Sequence, residues 1–269
     1  TFDSRESTAV RLRQPTDVAL LYGVGFAAPS AEHGLVIADR SNHCLRLLEL
    51  TDCNAYTGVG CPTATLAGFC SNGAGAGTTD GERTAARMSY PSSLAVAPTP
   101  DTMIAAATNP GRRSAAEAAA YHPTVFFDSG FCIRALTLGN AGEHPLRVRS
   151  LHGAAVDDND PRATADLAGQ VSTVAGGCSA PLIRLTDGTS AAARFIKINS
   201  IAAAHDSSSL FVADGAYIRR IDGIDLAMVK KTNANLKDTR WSSNVYVHTV
   251  TSNGVLHAGF TGLHVPWNS

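Results

Sequence analysis

Histidine is the side chain of this sequence best suited to metal chemistry, because a neutral imidazole is the commonest metal ligand in proteins. The 269-residue chain contains nine histidines. None of them forms a His-x-x-x-His pair, and the chain has no Cys-x-x-Cys spacing, so it lacks a local zinc site. A metal centre would have to be assembled from distant positions. The histidines are His33, His43, His122, His144, His152, His205, His248, His257 and His264.

Motifs for nucleophilic or phosphate chemistry are also missing from the sequence. No Gly-x-Ser-x-Gly nucleophile elbow occurs. The glycine-rich residues 73–77 lack the preceding strand, the following helix and the Lys-Ser/Thr of a phosphate loop, so we interpret them as a flexible connection. The sequence therefore predicts no catalytic residue, no metal-binding residue and no cofactor.

Aspartate and arginine recur at similar places along the chain. A functional interpretation would make them a ring of charges that lines a channel. A structural interpretation has each Asp capping a turn and each Arg tying neighbouring units together. We favour the structural interpretation because an active site does not need three copies. The residues are Asp39, Asp128 and Asp214, with Arg46, Arg134 and Arg219.

These residues recur because the chain repeats itself. Residues 80–96 begin with Asp-Gly and continue through Ala-Arg and Pro to Leu-Ala-Val. Residues 187–203 keep this spacing, with Ile198 in place of the proline. Residues 11–20 form a third copy, and Asp3 stands roughly where its Asp belongs. Self-similarity at a long period indicates one supersecondary unit that is copied and stacked.

Each copy also contains two apolar runs joined by a turn, and a closing run. The joined runs cover residues 34–48, 125–136 and 210–221, and each carries one of the recurring arginines. Closing runs into glycine occur at 64–68 and 172–176, with a degenerate third at 248–252. Four short apolar runs separated by turn residues predict four strands per copy. Four-stranded units in series are typical of propeller blades.

The order of these motifs resembles the NHL repeat of β-propellers. The closest match is Ile-Ala-Asp-Arg-Ser-Asn-His-Cys-Leu-Arg over residues 37–46. The second copy lacks the Ala-Asp-x-x-Asn-His form. The resemblance covers nearly the whole chain and implies an all-β fold, a single propeller region over residues 1–269 built of four-stranded blades.

About three blades are expected, over residues 1–70, 71–178 and 179–260, with a tail at 261–269. Propellers close with about four to eight blades, and the resemblance implies six in most examples. Three blades would form a partial ring with two open apolar flanks. We therefore expect the chain to be a piece of something longer, or another chain to supply the remaining blades.

The cysteines occupy matching positions in two of the copies. Cys44 and Cys132 each precede the Leu-Arg or Ile-Arg of the third strand, and Cys70 and Cys178 each follow the closing glycine by two residues. Neighbouring antiparallel strands place the start of one beside the end of the next. This predicts the disulfides Cys44–Cys70 and Cys132–Cys178. The third copy has Tyr217 at the first position and lacks both cysteines.

The remaining two cysteines, Cys53 and Cys61, flank a loop at the other end of the first hairpin, and we predict that they form a third disulfide. The alternative is that each cysteine is a small buried apolar residue. The even total and the paired presence and loss favour disulfides. Disulfides predict an oxidising compartment, so the protein is expected to be secreted, at the cell surface or in the lumen of the secretory pathway.

Composition describes a globular, turn-rich protein, with 44% hydrophobic residues, 17% charged residues and 24 glycines. The formal net charge of −1 argues against nucleic acid and anionic membranes as partners. The sequence contains no run of eighteen apolar residues, so it predicts no membrane-spanning helix. Residues 114–121 are Ala-rich and predict a short helix. The long polar segments 140–168 and 230–241 could carry function or cover a neighbour in an assembly.

Together these features predict a non-catalytic scaffold that binds protein partners, within a larger extracellular or luminal protein or assembly. The partners could include the remaining blades or other subunits. The alternative is a metal-dependent lyase or hydrolase, because some NHL-like propellers are amidating lyases with a His-bound zinc and a catalytic Arg or Tyr. No three histidines match in the repeat, since the nearest counterparts of His43 are Phe131 and Ala216.

Overall fold

The computed structural model of the protein describes ten stretches of the chain, and these contain fifteen strands, a 3-10 turn at Arg40–Asn42 and no α-helix. The predicted helix at 114–121, the polar segments 140–168 and 230–241 and the tail 261–269 lie outside the described residues. The all-β class is therefore confirmed for the described part. The stretches are 10–22, 33–50, 63–71, 74–97, 124–138, 169–179, 185–204, 208–224, 245–252 and 255–256.

Sheet 1 is a four-stranded antiparallel meander. It consists of β1 (Pro15–Tyr22), β2 (His33–Asp39), β3 (Cys44–Glu49) and β4 (Thr63–Gly68), and its spatial order is the order of the chain. Strands that follow one another in the chain pair with one another, as expected for a meander.

Sheet 2 repeats this arrangement and adds one short strand. The strand β5 (Gly81–Glu82) pairs with the last strand of the sheet and not with the first. The other four follow in chain order as β6 (Leu94–Val96), β7 (Thr124–Ser129), β8 (Cys132–Leu138) and β9 (Gly169–Gly176).

Sheet 3 has the same plan, including the short strand formed by the Asp-Gly segment. The described residues thus form three antiparallel sheets and no closed ring. The blade boundaries stay predictions. The strands are β10 (Gly188–Thr189), which pairs with β14, then β11 (Ile198–Ala203), β12 (Ser209–Asp214), β13 (Tyr217–Asp222) and β14 (Tyr246–Ser252), with β15 (Val255–Leu256) paired to β14.

Strand register gives all three sheets a matching row of side chains on one face. Residues directly opposite one another on neighbouring strands share a face. The row runs from an aliphatic residue on the first strand, through a second apolar residue, to Arg and Thr. We call this the leading face of each sheet. The rows are Val18, Ile37, Arg46 and Thr65; Leu94, Phe127, Arg134 and Thr173; and Ile201, Val212, Arg219 and Thr249.

We call the opposite face of each sheet the trailing face, and it also carries a row of paired side chains. This row differs in character between sheet 3 and the other two sheets. In sheets 1 and 2 the row is apolar or small. In sheet 3 its last two members are charged or titratable. The rows are Ala19, Val36, Leu47 and Ala64; Ala95, Phe126, Ala135 and Ser172; and Ala202, Phe211, Arg220 and His248.

Two apolar cores separate the three sheets. The trailing face of sheet 1 packs on the leading face of sheet 2, where Val36 and Leu47 meet Phe127 and Leu136. The trailing face of sheet 2 packs in the same way on sheet 3. Burial of alternating apolar residues on both faces makes sheet 2 the centre of the described structure.

Hydrogen bonds join the first strands of successive sheets. The Asp17 carboxylate of β1 accepts the Leu94 backbone N–H at 2.8 Å. The Ser93 hydroxyl, directly before β6, accepts the Ile201 backbone N–H at 2.9 Å. Asp17 and Ser93 occupy the same repeat position, two residues after the proline, so the same contact is made twice.

A left-handed glycine ends the fourth strand of sheets 1 and 2. Gly68 has φ 84° and Gly176 has φ 94°. A Cβ at Gly176 would lie 2.8 Å from the Phe131 carbonyl oxygen and 2.8 Å from a ring carbon of Phe195. This is why the closing run of the repeat ends in glycine. In sheet 3 Ser252 takes the position opposite Tyr217.

Candidate functional site

The arginine of each leading face is fully buried. In sheet 2 the guanidinium of Arg134 forms an ion pair with Asp80 at 2.6 Å and donates to the carbonyls of Thr79 and Arg87. Burial lowers the pKa of Arg134, and the Asp80 carboxylate raises it in opposition. Three groups of the Asp-Gly segment thus bind the buried guanidinium.

Sheet 3 repeats this network. Arg219 pairs with Asp187 at 2.8 Å and donates to the carbonyls of Thr186 and Arg194 at 2.9 and 3.0 Å. Each aspartate also accepts from the sheet's last strand: Thr249 donates its N–H to Asp187 at 2.9 Å, and Thr173 donates to Asp80 at 2.9 Å. The counterpart expected for sheet 1, Asp3, lies outside the described residues.

For Arg134 and Arg219, the expectation that each arginine ties adjacent units needs correction. The guanidinium contacts the Asp-Gly segment of its own sheet, and this segment then bonds the preceding sheet through its backbone. Gly68 donates its N–H to the Arg83 carbonyl at 2.8 Å, and Gly176 donates to the Ser190 carbonyl at 2.9 Å. The arginine thus reaches the neighbouring sheet through an intermediate loop.

Asp39 and Asp214 hold the chain that enters the first strand. Asp39 accepts the Arg13 N–H at 2.7 Å, and Asp214 accepts the Ile196 N–H at 2.8 Å. Each also pairs with the buried arginine of its sheet, Arg46 at 3.2 Å and Arg219 at 3.0 Å. The two carboxylates act as caps for another segment's backbone, which is a structural role.

The expected equivalence of Asp128 with these two aspartates is wrong by one residue. Ser129 pairs with Cys132, whereas Asp39 pairs with Cys44, so Ser129 holds the repeat position. Its hydroxyl accepts the Ser89 N–H at 2.8 Å, the contact that Asp39 makes with Arg13. The error arose because the aspartates were matched by residue type: Ser129 lies five residues before Arg134, as Asp214 lies five before Arg219, whereas Asp128 lies six before Arg134.

Asp128 instead lies on the trailing face of sheet 2, where it is buried. Its carboxylate accepts the Ser92 N–H at 2.7 Å, the Ser92 hydroxyl at 2.7 Å and the Ser93 N–H at 2.6 Å. Burial raises the pKa of Asp128 against these hydrogen bonds. The group orients the chain before β6 and has no cation among the contacts described.

The structure bonds Cys44 to Cys70 and Cys132 to Cys178, which are the two pairs expected from the repeat positions. Cys44 lies opposite Gly68 at the start of β3, and Cys132 lies opposite Gly176 at the start of β8. Each bond therefore joins the third strand to the segment that follows the fourth. Cys53 and Cys61 lie outside the described residues.

His43 is buried at the first hairpin turn, where it takes a left-handed φ of 58°. Its Nδ1 accepts the Tyr90 backbone N–H at 3.2 Å, and the two rings meet edge to face. Burial lowers the pKa of His43, and the cations Arg13 and Arg40 lower it further. The ring is a neutral acceptor that joins sheet 1 to the segment leading into sheet 2.

The other histidine with a described side-chain contact is His248, whose Nε2 lies 3.7 Å from Asp222 on the trailing face of sheet 3. Within the ten described stretches, no three His, Cys, Asp or Glu side chains form a group that could bind a metal. The histidines that lie outside them are His122, His144, His152, His205, His257 and His264.

Two sheet faces carry exposed apolar residues. On the leading face of sheet 1, Val18 is 54% exposed and Leu20 is 37% exposed. Leu94 in sheet 2 and Ile201 in sheet 3, which are both equivalent to Val18, are 6% and 5% exposed. On the trailing face of sheet 3, Ile218 is 39% exposed.

Comparison with known proteins does not assign the chain to a family. No protein-family model matches it, and no curated protein matches it. One similar solved structure is an auxiliary nutrient binding protein from Bacteroides thetaiotaomicron VPI-5482, with 18% sequence identity and a TM-score of 0.36. The similarity covers 68% of this chain and 32% of that one, so this chain spans about a third of that protein. A similarity this low carries no argument about fold or function.

The described ranges contain no helix that is long and apolar enough to cross a bilayer.

Proposed function

We propose that the chain is a non-catalytic scaffold that binds protein partners within a larger extracellular or luminal assembly. The observation that carries this proposal is the use of the recurring charged residues. Arg134, Arg219, Asp39 and Asp214 are buried and bonded to the chain's own backbone or to one another. Side chains engaged in this way stabilise the repeat and are not available to a substrate.

The proposal includes an architecture, namely about three blades of an incomplete NHL-type propeller. Three observations support it. The sheets repeat the same rows of residues, successive sheets pack leading face to trailing face, and the first strands are joined by equivalent hydrogen bonds. Neighbouring first strands are what blades placed around a common axis would have.

The proposed location rests on the disulfides. Two bonds that staple equivalent strand ends in sheets 1 and 2 support folding in an oxidising compartment. A secreted, cell-surface or luminal protein with rigid repeats is suited to hold long loops against a partner.

Metal analysis of the purified chain tests the scaffold against the alternative enzyme. A scaffold should contain no stoichiometric zinc or calcium after purification without chelators. One metal ion per chain would contradict the proposal and favour a metal-dependent lyase or hydrolase. Cross-linking mass spectrometry on native material should then place cross-links between this chain and another protein.

A further inference from the structure

We infer that the leading face of sheet 1 binds the trailing face of sheet 3 in a second copy of this chain, so that copies associate head to tail. The inference deepens the proposed scaffold role, on which it rests, by naming one partner. The inference follows from the two interfaces within the chain, between sheets 1 and 2 and between sheets 2 and 3. The contact between copies would repeat the same packing of a trailing face on a leading face.

The leading face of sheet 1 carries the apolar residues that sheets 2 and 3 bury. Its second row consists of Leu20, Leu35 and Leu48, paired directly across β1, β2 and β3. In sheet 2 the same row is Val96, Val125 and Leu136, whose last two members are fully buried against sheet 1. Val18 and Leu20 therefore expose surface of the kind that is core elsewhere in the molecule.

The hydrogen bonds of the first strands also distinguish sheet 1 from sheets 2 and 3. Leu94 and Ile201 donate their N–H groups to a side chain of the preceding sheet. Val18 holds this position in sheet 1, but its N–H is bonded to the neighbouring Asp17 carboxylate at 2.8 Å, at an exposed site. A preceding sheet would offer an acceptor there in place of this local contact.

Sheet 3 of a second copy offers that acceptor. Ser200 occupies the repeat position of Asp17 and Ser93, and it is exposed. Beside it on the trailing face lie Ala202 and half-buried Phe211, the counterparts of Ala19–Val36 and Ala95–Phe126. On the trailing face, the first two strands of sheet 3 thus match those of sheets 1 and 2. The trailing faces of sheets 1 and 2 already pack against a following sheet.

The outer strands of this face make the contact between copies weaker than the internal ones. Arg220 replaces Leu47 and Ala135, and it pairs with Asp222 at 2.6 Å. The Ser209 hydroxyl donates to Asp222 at 3.0 Å. The charges neutralise each other, but their desolvation opposes association. The association is therefore reversible on dilution, and as a heterologous contact it closes into a ring or continues as an open chain.

Sedimentation velocity of the purified chain over a concentration series tests the inference, with two single variants, Val18→Asp on sheet 1 and Ala202→Asp on sheet 3. The wild-type chain should associate. Each variant should raise the dissociation constant at least about tenfold, because a carboxylate would be buried at the contact. An equimolar mixture of the two variants should form a 1:1 dimer, since one intact face remains on each.

Ile196→Asp is the matched control, because Ile196 is a similarly exposed apolar residue (38%) that lies on neither face. This variant should associate as the wild type does. Circular dichroism melting of each variant checks that it is folded. A purified wild-type chain that is monomeric at all concentrations would overturn the inference. So would unimpaired association of Ala202→Asp, or a mixture of folded variants that stays monomeric.

The same samples separate this inference from the proposed function. A metal-free monomer would overturn self-association and leave the scaffold role standing. An associating chain with one zinc ion per copy would overturn the scaffold role alone.

Discussion

At the scale of single residues, the buried guanidiniums of Arg134 and Arg219 are each held by an aspartate and by carbonyls of the Asp-Gly segment in the same sheet. Recurrence correctly indicated a structural role for Arg134 and Arg219, because three copies of one residue argue against one active site. It did not identify the acceptor of each arginine. It also mistook Asp128 for the counterpart of Asp39, because the match of residue type was followed and not the spacing from the arginine, which points to Ser129.

The ion pair between Arg134 and Asp80 leads to a stability prediction. Asp80→Ala should lower the free energy of unfolding by about 2 kcal/mol, because it leaves a fully buried guanidinium without its counterion. The loss is moderated by water, since the Asp80 side chain is 42% exposed. Urea unfolding measures the change. Glu82→Ala, at an exposed neighbour, should alter stability by less than about 0.5 kcal/mol; equal losses in the two variants would argue against the role given to Asp80.

His43 leads to a pH prediction. Its pKa in the folded protein lies below its ordinary value of about 6.5, so the unfolded chain binds the proton first as the pH falls. The stability gained from the neutral ring is therefore present above about pH 6.5 and is lost below that value. Protonation would also place an N–H where Nδ1 accepts the Tyr90 N–H.

The measurement is the melting temperature of the wild type and of His43→Asn between about pH 7 and pH 5. Asn tolerates the left-handed backbone and does not titrate. The wild type should lose stability with acid relative to the variant. The charged and titratable groups at the ring are Arg13, Arg40 and Tyr90, which both proteins retain. Parallel pH curves would contradict this prediction.

At the scale of strands and turns, the repeat pattern predicted the four main strands of each sheet and the two cysteine pairs. Spacing sufficed because each strand alternates apolar residues and each pair lies where neighbouring strands meet. The two-residue strands β5 and β10 were not predicted. Their Asp-Gly sequence indicates a turn, and only the tertiary contact with β9 or β14 makes it a strand.

The glycine that ends the closing run of the repeat leads to a prediction about stability. Gly176→Ala should destabilise the protein by more than about 1 kcal/mol, because an L-residue is strained at φ 94° and the new Cβ would clash with the Phe131 carbonyl and the Phe195 ring. Gly215→Asn is the control. Gly215 has φ 62°, where Asn is tolerated, and nothing lies within 4 Å of a Cβ there. Thermal melts of both variants give the comparison, and two equal losses would show that packing at Gly176 is unimportant.

At the scale of the whole molecule, the order in which the sheets pack was implicit in the repeat, but the difference between the two outer faces was not. Sheet 1 presents apolar residues, whereas sheet 3 presents Arg220 and His248 at positions that are apolar or small in the other sheets. The sequence contains these substitutions, but their meaning depends on the register that places them on one face. Asp17 and Ser93 each accept a backbone N–H from the first strand of the next sheet. The sequence signal for this contact is a polar residue two positions after the proline. Its role can be interpreted only from the way the sheets pack side by side.

Equivalent positions in different sheets should therefore respond differently to the same substitution. Leu94→Ala removes a residue from the core between sheets 1 and 2 and should cost about 3 kcal/mol of unfolding free energy. Val18→Ala, at the same repeat position, should cost less than about 1 kcal/mol in dilute protein, because Val18 is 54% exposed. At high protein concentration the loss caused by Val18→Ala should grow toward that of Leu94→Ala. Association through the face of Val18 raises the wild-type melting temperature, and Val18→Ala should weaken that dependence on concentration. A Val18→Ala loss that is as large as that of Leu94→Ala in dilute solution would mean that sheet 1 is already covered within one chain.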